Sequence, residues 1–472
     1  MKTNNNLSPP LITAALFFLI ASVSCLAQRG YEYENFGNRS VLLNGNVTGS
    51  VNDLGAVYYN PARLALIKNP GFLVQGKFYE WNRITIDELV PDERFQTSNF
   101  TGIPGMIAGS FDMFNTRFYY SSISRNRLNL SLGFNSGVVS NEDDPQITPG
   151  NQLNLKVDIN NRLREDWFGL TWAYKVHDGF ALGASLFASY YTYSGGDGTR
   201  LIQDVNQDEV NIYESNLRFS QSSYGLYFKI AAAWIFEKWE LGVNIDLPYL
   251  EIFGQGKFNF DEILATNTTL DDLFIYEDLN DLESTQKTPL SINVGAGIPI
   301  KNHRIHLNLS WYAPTGTYDR IEIPSLGGST GEEASLAFQE KRRSIINFGA
   351  GGEIELTPKL DTYLSFSTDF SPLKEADEVL GSADGIGVSN LLAFDNYHFG
   401  GGFNWKFNRA DVVFGAIFTT GVQEFNSVRD RPIDALLPTE ETFKIGINRW
   451  RFLVGLNLSL RDLFGEKLNE QQ

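Results

Sequence analysis

Arg304-Ile305-His306-Leu307-Asn308-Leu309-Ser310-Trp311 alternates strictly, with Ile305, Leu307, Leu309 and Trp311 on one side and Arg304, His306, Asn308 and Ser310 on the other. A period of two sustained this long marks a β-strand with one apolar and one polar face. The same beat recurs along the chain. In 127–134, Leu128, Leu130, Leu132 and Phe134 alternate with Arg127, Asn129, Ser131 and Gly133. In 360–370, Leu360, Leu364, Phe366 and Phe370 oppose Asp361, Ser365, Ser367 and Asp369. Near the end, Phe452, Val454, Leu456, Leu458 and Leu460 interleave with Gly455, Asn457 and Ser459.

The connections decide which all-β architecture these strands build. Short links at 124–126, 176–179, 237–238, 301–303, 357–359 and 408–410 alternate with long ones near 83–102, 140–151, 195–208, 262–285, 316–338, 373–393 and 426–440. That rhythm predicts about fourteen antiparallel strands, each long enough to cross a bilayer in about 9–11 residues. Short turns at one end and long loops at the other, with an even strand number, are the pattern of a transmembrane β-barrel of the bacterial outer membrane. Trp81, Trp311 and Tyr312 fall near the long-loop ends, and Trp172, Trp234, Trp239 and Trp405 near the short turns, as two interfacial girdles require. Closure also satisfies backbone groups that lipid cannot.

The N-terminus fits export. Lys2 precedes the uncharged run Leu11 to Val23, too short for a membrane anchor, and Cys25-Leu26-Ala27 reads as a cleavage site. The alternative is a lipoprotein signal with Cys25 as the lipidated residue. The expected division is 1–27 signal peptide, 28–69 a plug inside the barrel, 70–461 the barrel and 462–472 a C-terminal tail facing the periplasm. Since Cys25 is the single cysteine, cleavage leaves no thiol for disulfides, metal ligation or catalysis. A formal net charge of −18 argues against nucleic acid as a partner.

Residues 28–69 lack a strand pattern. They contain Asn44 to Leu54, rich in small residues, and then Ala56-Val57-Tyr58-Tyr59-Asn60-Pro61-Ala62. Here the chain resembles the FadL/TodX family of outer-membrane transporters for long-chain fatty acids and aromatic hydrocarbons, with Asn60, Pro61 and Ala62 standing where that family carries an Asn-Pro-Ala hatch motif. The resemblance implies a fourteen-stranded barrel with an N-terminal hatch. It also implies passive uptake of a hydrophobic small molecule, captured by outer loops, held in a pocket above the hatch and released sideways through a kinked strand into outer-membrane lipid. Phe36, Tyr58 and Tyr59 are the pocket candidates. Gly133 and Gly137, on the third strand, are the lateral-gate candidates, because a kink needs a bulge or a glycine. Phe274 and Tyr276 could help first capture. A role like that of PorV-type barrels, serving type IX secretion or attachment of surface proteins, is the alternative and implies a protein partner.

Other chemistry is not supported by the residues. His306, Asn308 and Ser310 share a polar face that should point into the lumen, and the outer two lie about 13 Å apart. No catalytic residue is assigned. Asp204, Asn206 and Asp208 begin like a calcium loop, but Glu209 stands where glycine is needed. His177, His303, His306 and His398 are dispersed, the glycine runs lie inside strands, and no metal or cofactor is expected.

Overall fold

The computed structural model describes residues 30–67, 71–87, 94–100, 104–140, 149–205, 209–265, 272–324, 326–327, 333–334, 336–373, 381–382, 385–387, 394–426 and 442–458. Fourteen antiparallel strands close into a barrel. They are β1 (Phe72–Asp87), β2 (Arg94–Phe100 and Pro104–Met113), β3 (Thr116–Ser140), β4 (Gln152–His177), β5 (Phe180–Val205), β6 (Glu209–Ile235) and β7 (Glu240–Asp246 and Leu250–Ala265). There follow β8 (Leu273–Leu282 and Ser291–Ile300), β9 (His303–Tyr312 and Thr315–Ile321), β10 (Leu336–Arg342 and Ile345–Thr357), β11 (Leu360–Asp369), β12 (Asp395–Lys406), β13 (Ala410–Asn426) and β14 (Thr442–Leu458). Each strand pairs with its neighbour in sequence. The ladder from Phe72↔Leu458 to Asp87↔Lys444 joins β1 to β14 and closes the wall.

The alternation resolves as expected. Phe168, Leu170, Trp172 and Tyr174 on β4, and Ile305, Leu307 and Leu309 on β9, are exposed on the outer surface. His306 and Ser310 are buried and face inward. Outward apolar side chains replace water with acyl chains at about 25 cal/mol per Å², which is what holds such a wall in a bilayer.

Three expectations are corrected. The first short turn is at Phe114-Asn115, both with positive φ (51° and 58°), and not at 124–126. Ser124-Arg125-Asn126 lies inside β3, where the register slips between Ser124 and Asn126. A polar triplet mimics a turn, but here it is a bulge that sends one side chain inward. The spans 195–208 and 262–285 are mostly strand, because the hairpin ladders of β5–β6 and β7–β8 override local glycine and acidic content. Tyr312 is not in a girdle. It alternates with Trp311 and is buried facing the lumen. Residues 427–441 and the ends 1–29 and 459–472 lie outside the described residues, and with them the signal-peptide and tail boundaries.

Residues 30–67 fill the lumen near the short-turn end. They contain the helix α1 (Ala56–Tyr59) and a 3-10 helix (Pro61–Ala65). The Asp53 carboxylate organises the fold by accepting from the backbone N–H groups of Asn38 (3.0 Å), Arg39 (2.6 Å), Ser40 (2.9 Å) and Gly55 (2.8 Å). Inward glycines of the wall seat this segment. A side chain at Gly183 would collide with Pro61 and Ala62, one at Gly242 with Thr48, and one at Gly349 with Asn46.

Candidate functional site

The Asn60-Pro61-Ala62 motif has a local physical reason. Asn60 Oδ1 accepts from Ala62 N–H (3.1 Å), capping the 3-10 helix, and Pro61 occupies its first turn, where no N–H is missed. Asn60 Nδ2 donates to the carbonyl oxygens of Thr48 (2.7 Å) and Ala232 (3.2 Å), so one side chain ties the segment to itself and to β6. Ala62 is fully buried against Ala181, Ala231 and Ala233, where only a small residue fits. Further ties reach around the wall: Ser50 Oγ to His306 Nδ1 (2.7 Å), Asn46 Nδ2 to Phe366 O (2.9 Å), and Arg63 to Glu240 (2.9 Å).

Above this segment lies a cavity of about 100 Å³, walled by Tyr31, Tyr58, Trp167, Tyr191, Tyr227 and Tyr312. For scale, a cavity of about 150 Å³ holds benzene. Tyr31 stacks on Tyr312 (ring centroids 4.2 Å), and Trp167 packs on Tyr227 (4.3 Å). Charged groups edge the ring cluster. Lys229 pairs with Asp246 (2.8 Å) and lies 4.3 Å from the Tyr58 ring, and Arg125 lies 5.4 Å from Tyr58 and 5.6 Å from Trp167. Glu165 accepts from Asn126 Nδ2 (2.6 Å), Trp167 Nε1 (2.8 Å) and the Tyr227 hydroxyl (3.1 Å), which satisfies a buried carboxylate. A smaller cavity of about 40 Å³ adjoins it and is lined by Tyr59, Asn44 and Thr48 as well as Tyr31 and Tyr58.

The arm Gly30–Glu34 forms part of the floor. Glu34 is clasped by Lys77 (3.2 Å), Arg449 (3.2 Å) and Arg451 (3.1 Å). Burial alone would raise its carboxyl, but these three cations outweigh burial and bring it down to about 2. Glu32 is the opposite case: burial first, then the charge of Asp369, pushes it up to about 7. It accepts from the Tyr312 hydroxyl (3.2 Å), and its N–H donates to Asp369 Oδ1 (3.2 Å).

On the far side the cavity abuts an apolar cluster. Leu163 and Tyr191 belong to both, and Tyr193, Phe219, Phe258 and Phe338 continue it toward the long-loop end. Arg320 lies between the rings of Tyr193 (4.6 Å) and Phe338 (4.8 Å) and pairs with Glu340 (3.4 Å).

The wall beside the cavity is interrupted. β1 pairs with both segments of β2, but only the segment Pro104–Met113 continues to β3, ending at Met106↔Ile123. Among the described residues no ladder joins Arg94–Phe100 to β3, so from Ser124 outward β3 is bonded only to β4. The bulge at Arg125 falls where pairing to β2 stops. Its guanidinium turns inward and donates to Tyr31 O (2.7 Å). Asn126, the next residue, lines the cavity.

The sequence candidates distribute unevenly. Tyr58 lines the main cavity and Tyr59 the smaller one, whereas Phe36 is buried beneath, edge-on to Tyr58 (4.9 Å). Gly137 has φ +66° within a second irregularity, between Asn135 and Val138, and Gly133 sits in regular ladder opposite Asp158. Both lie on the stretch of β3 that pairs with β4 and not with β2. Phe274 and Tyr276 are exposed on β8, and Asn206 and Asp208 lie outside the described residues. Arg125, Trp167 and Tyr227 were missed. Trp167 could have been found by continuing the alternation of β4 inward from Phe168. Among the described residues no group of three or more His, Cys, Asp or Glu could hold a metal ion.

The closed fourteen-stranded antiparallel barrel is the fold of solved FadL/TodX-type transporters. The solved structures make the likeness specific. The monoaromatic hydrocarbon channel CymD aligns over 90% of this chain and 97% of its own, with TM-score 0.52 and 12% identity. The Pseudomonas putida toluene transporter TodX aligns over 90% and 99%, with TM-score 0.50 and 11% identity. At such identities the likeness establishes the fold. No family model and no curated protein sequence matches the chain.

Proposed function

We propose that this protein carries hydrophobic small molecules, of the long-chain fatty acid or aromatic hydrocarbon class, passively across the outer membrane. The outer apolar cluster, which includes Ile275 on β8, takes the molecule from the outside, whereas Phe274 and Tyr276 face away from the lumen. The aromatic cavity holds it above residues 28–69, which act as a hatch against water and polar solutes. It leaves sideways, past Arg125 and Asn126, through the break between β2 and β3. The carrying observation is that the pairing of β3 to β2 ends at Ile123, beside the cavity. Lateral exit suits such cargo, because re-entering water would cost about 0.8 kcal/mol per CH₂. CymD and TodX, which share the fold, are described as a monoaromatic hydrocarbon channel and a toluene transporter.

The test is uptake of radiolabelled toluene and oleate by cells expressing the chain, compared with a Tyr58→Glu, Trp167→Glu variant that fills the cavity with charge. Faster uptake than in cells lacking the protein, abolished by the variant, is expected. Equal uptake with and without the protein would refute the proposal.

A further inference from the structure

The strands β3 to β6 run 25, 26, 26 and 27 residues, far beyond the roughly 9–11 needed to cross the hydrocarbon core. Their outward face changes character along its length. Toward the short turns it carries Phe168, Leu170, Leu186, Phe228 and Ile230, and this apolar band ends at the stacked pair Tyr190 and Tyr224 (4.8 Å). The rows immediately beyond it are basic. Arg127 stands directly opposite Arg164, and further out Lys156 stands directly opposite Arg200. Like charges opposite one another across a ladder are destabilising.

The protein relieves these pairs only in part. Asp166 serves both Arg127 (3.2 Å) and Arg164 (2.6 Å), Asp158 serves Lys156 (2.6 Å), and Glu214 serves Arg200 (3.6 Å). Between the two rows lie Arg162 and Arg218, both exposed and, among the described residues, without an ion pair. They flank β5 where it reads Gly195-Gly196-Asp197-Gly198, with Arg162 opposite Ser194 and Arg218 opposite Gly196. The missing side chains leave an open concavity of about 740 Å³ with the two arginines on its rims. Six cations thus meet the outward carboxylates Asp158, Asp166 and Glu214, with the buried Asp197 also lining the concavity, on a chain whose formal net charge is −18.

We propose that this trough binds the phosphate groups of an outer-leaflet glycolipid. The position selects the occupant. Arg162 lies four residues of β4 beyond Asp166, the partner of Tyr190 at the band's edge, about 13 Å along a tilted strand, which sets the trough at headgroup height over the lipid-facing band. An anion there arrives tethered to acyl chains that the band below accommodates. Arginine suits the role, because its planar fork binds phosphate oxygens in pairs. The inference rests on the barrel's seat in the membrane and not on the transport reading.

Native mass spectrometry of the detergent-purified protein with a diphosphorylated lipid A-type glycolipid tests it, alongside the same lipid enzymatically dephosphorylated. The Arg162→Ser, Arg218→Ser double variant is the probe, with Lys238→Ser at the opposite end as control. Heat-modified gel migration verifies that each barrel is folded. Retention of the phosphorylated lipid is expected to fall about tenfold in the double variant and to persist in the control, with little retention of the dephosphorylated lipid by any form. Equal retention of both lipids by the unmodified protein, or by the folded double variant and the control, would overturn the proposal. So would displacement by millimolar inorganic phosphate, which would mark a site for the free ion.

Discussion

Among the described residues the barrel ladder lapses in several places, and two of these lapses invite comparison. β7 is interrupted between Asp246 and Leu250 and β8 between Leu282 and Ser291, so the ladder between them lapses. There Gln286 N–H donates to Glu251 Oε2 (3.0 Å), Tyr249 N–H to Thr288 Oγ1 (3.1 Å) and Gln221 Nε2 to Thr285 O (2.9 Å). Thr285 N–H also finds Arg320 O on β9 (3.0 Å). At the break between β2 and β3, no ladder joins Arg94–Phe100 to β3 among the described residues, and β3 carries bulges at Arg125 and Gly137. The first break is bridged as a seam, and the second is the doorway that we propose for the cargo.

The N-terminal arm spans the two sides, held by Arg125 at Tyr31 and by Tyr312 at Glu32, and releasing it should have the largest effect. A docked Glu32 keeps its proton up to about 7, against an ordinary 4.5 when undocked. Docking is therefore strongest below 4.5 and weakens as pH rises through 7, by about 3 kcal/mol for a shift of this size. Glu34 contributes fully above 4.5 and loses its contribution only as pH falls toward 2. Limited proteolysis of the arm should thus accelerate between about pH 5 and pH 8, and Glu32→Gln should flatten that dependence.

Two matched substitutions then separate the breaks. Glu251→Ala, at the seam, and Arg125→Ala, at the doorway, should each cost about 2 kcal/mol of unfolding stability, the scale of a hydrogen bond to a charged group. Only Arg125→Ala should also change the rate of hydrocarbon uptake. Equal uptake in the two variants would erase the distinction. The smallest effect is expected from Gly137→Ala, where a positive φ makes a Cβ cost about 1 kcal/mol although nothing crowds it. Thermal unfolding followed by circular dichroism would register the shift.

Much of this was legible in the sequence. The alternation around Leu307 and Leu309 gave the wall, and Asn60-Pro61-Ala62 marked the segment in the lumen. Turns resisted: Phe114-Asn115 has a bulky residue at a left-handed position, while Ser124-Arg125-Asn126 has turn chemistry but is held in a ladder to β4. The cavity was only half visible. Tyr58 stood out in the hatch, whereas Trp167, Tyr227 and Tyr312 come together from three strands through a register that spacing alone does not give. The lateral-gate candidates Gly133 and Gly137 fall on the stretch of β3 where the exit is proposed, whereas Arg125 was hidden because 124–126 reads as a turn.

On the proposed route, cargo leaves between β2 and β3. A double variant, Ser98→Cys and Ser131→Cys, puts one thiol in each strand bordering the doorway, in a chain whose only natural cysteine is Cys25. Uptake of labelled toluene should fall sharply when a short bifunctional thiol reagent with a cleavable disulfide bridges the pair, and recover on reduction. Undiminished uptake by the fully bridged protein would show that the cargo takes another way out.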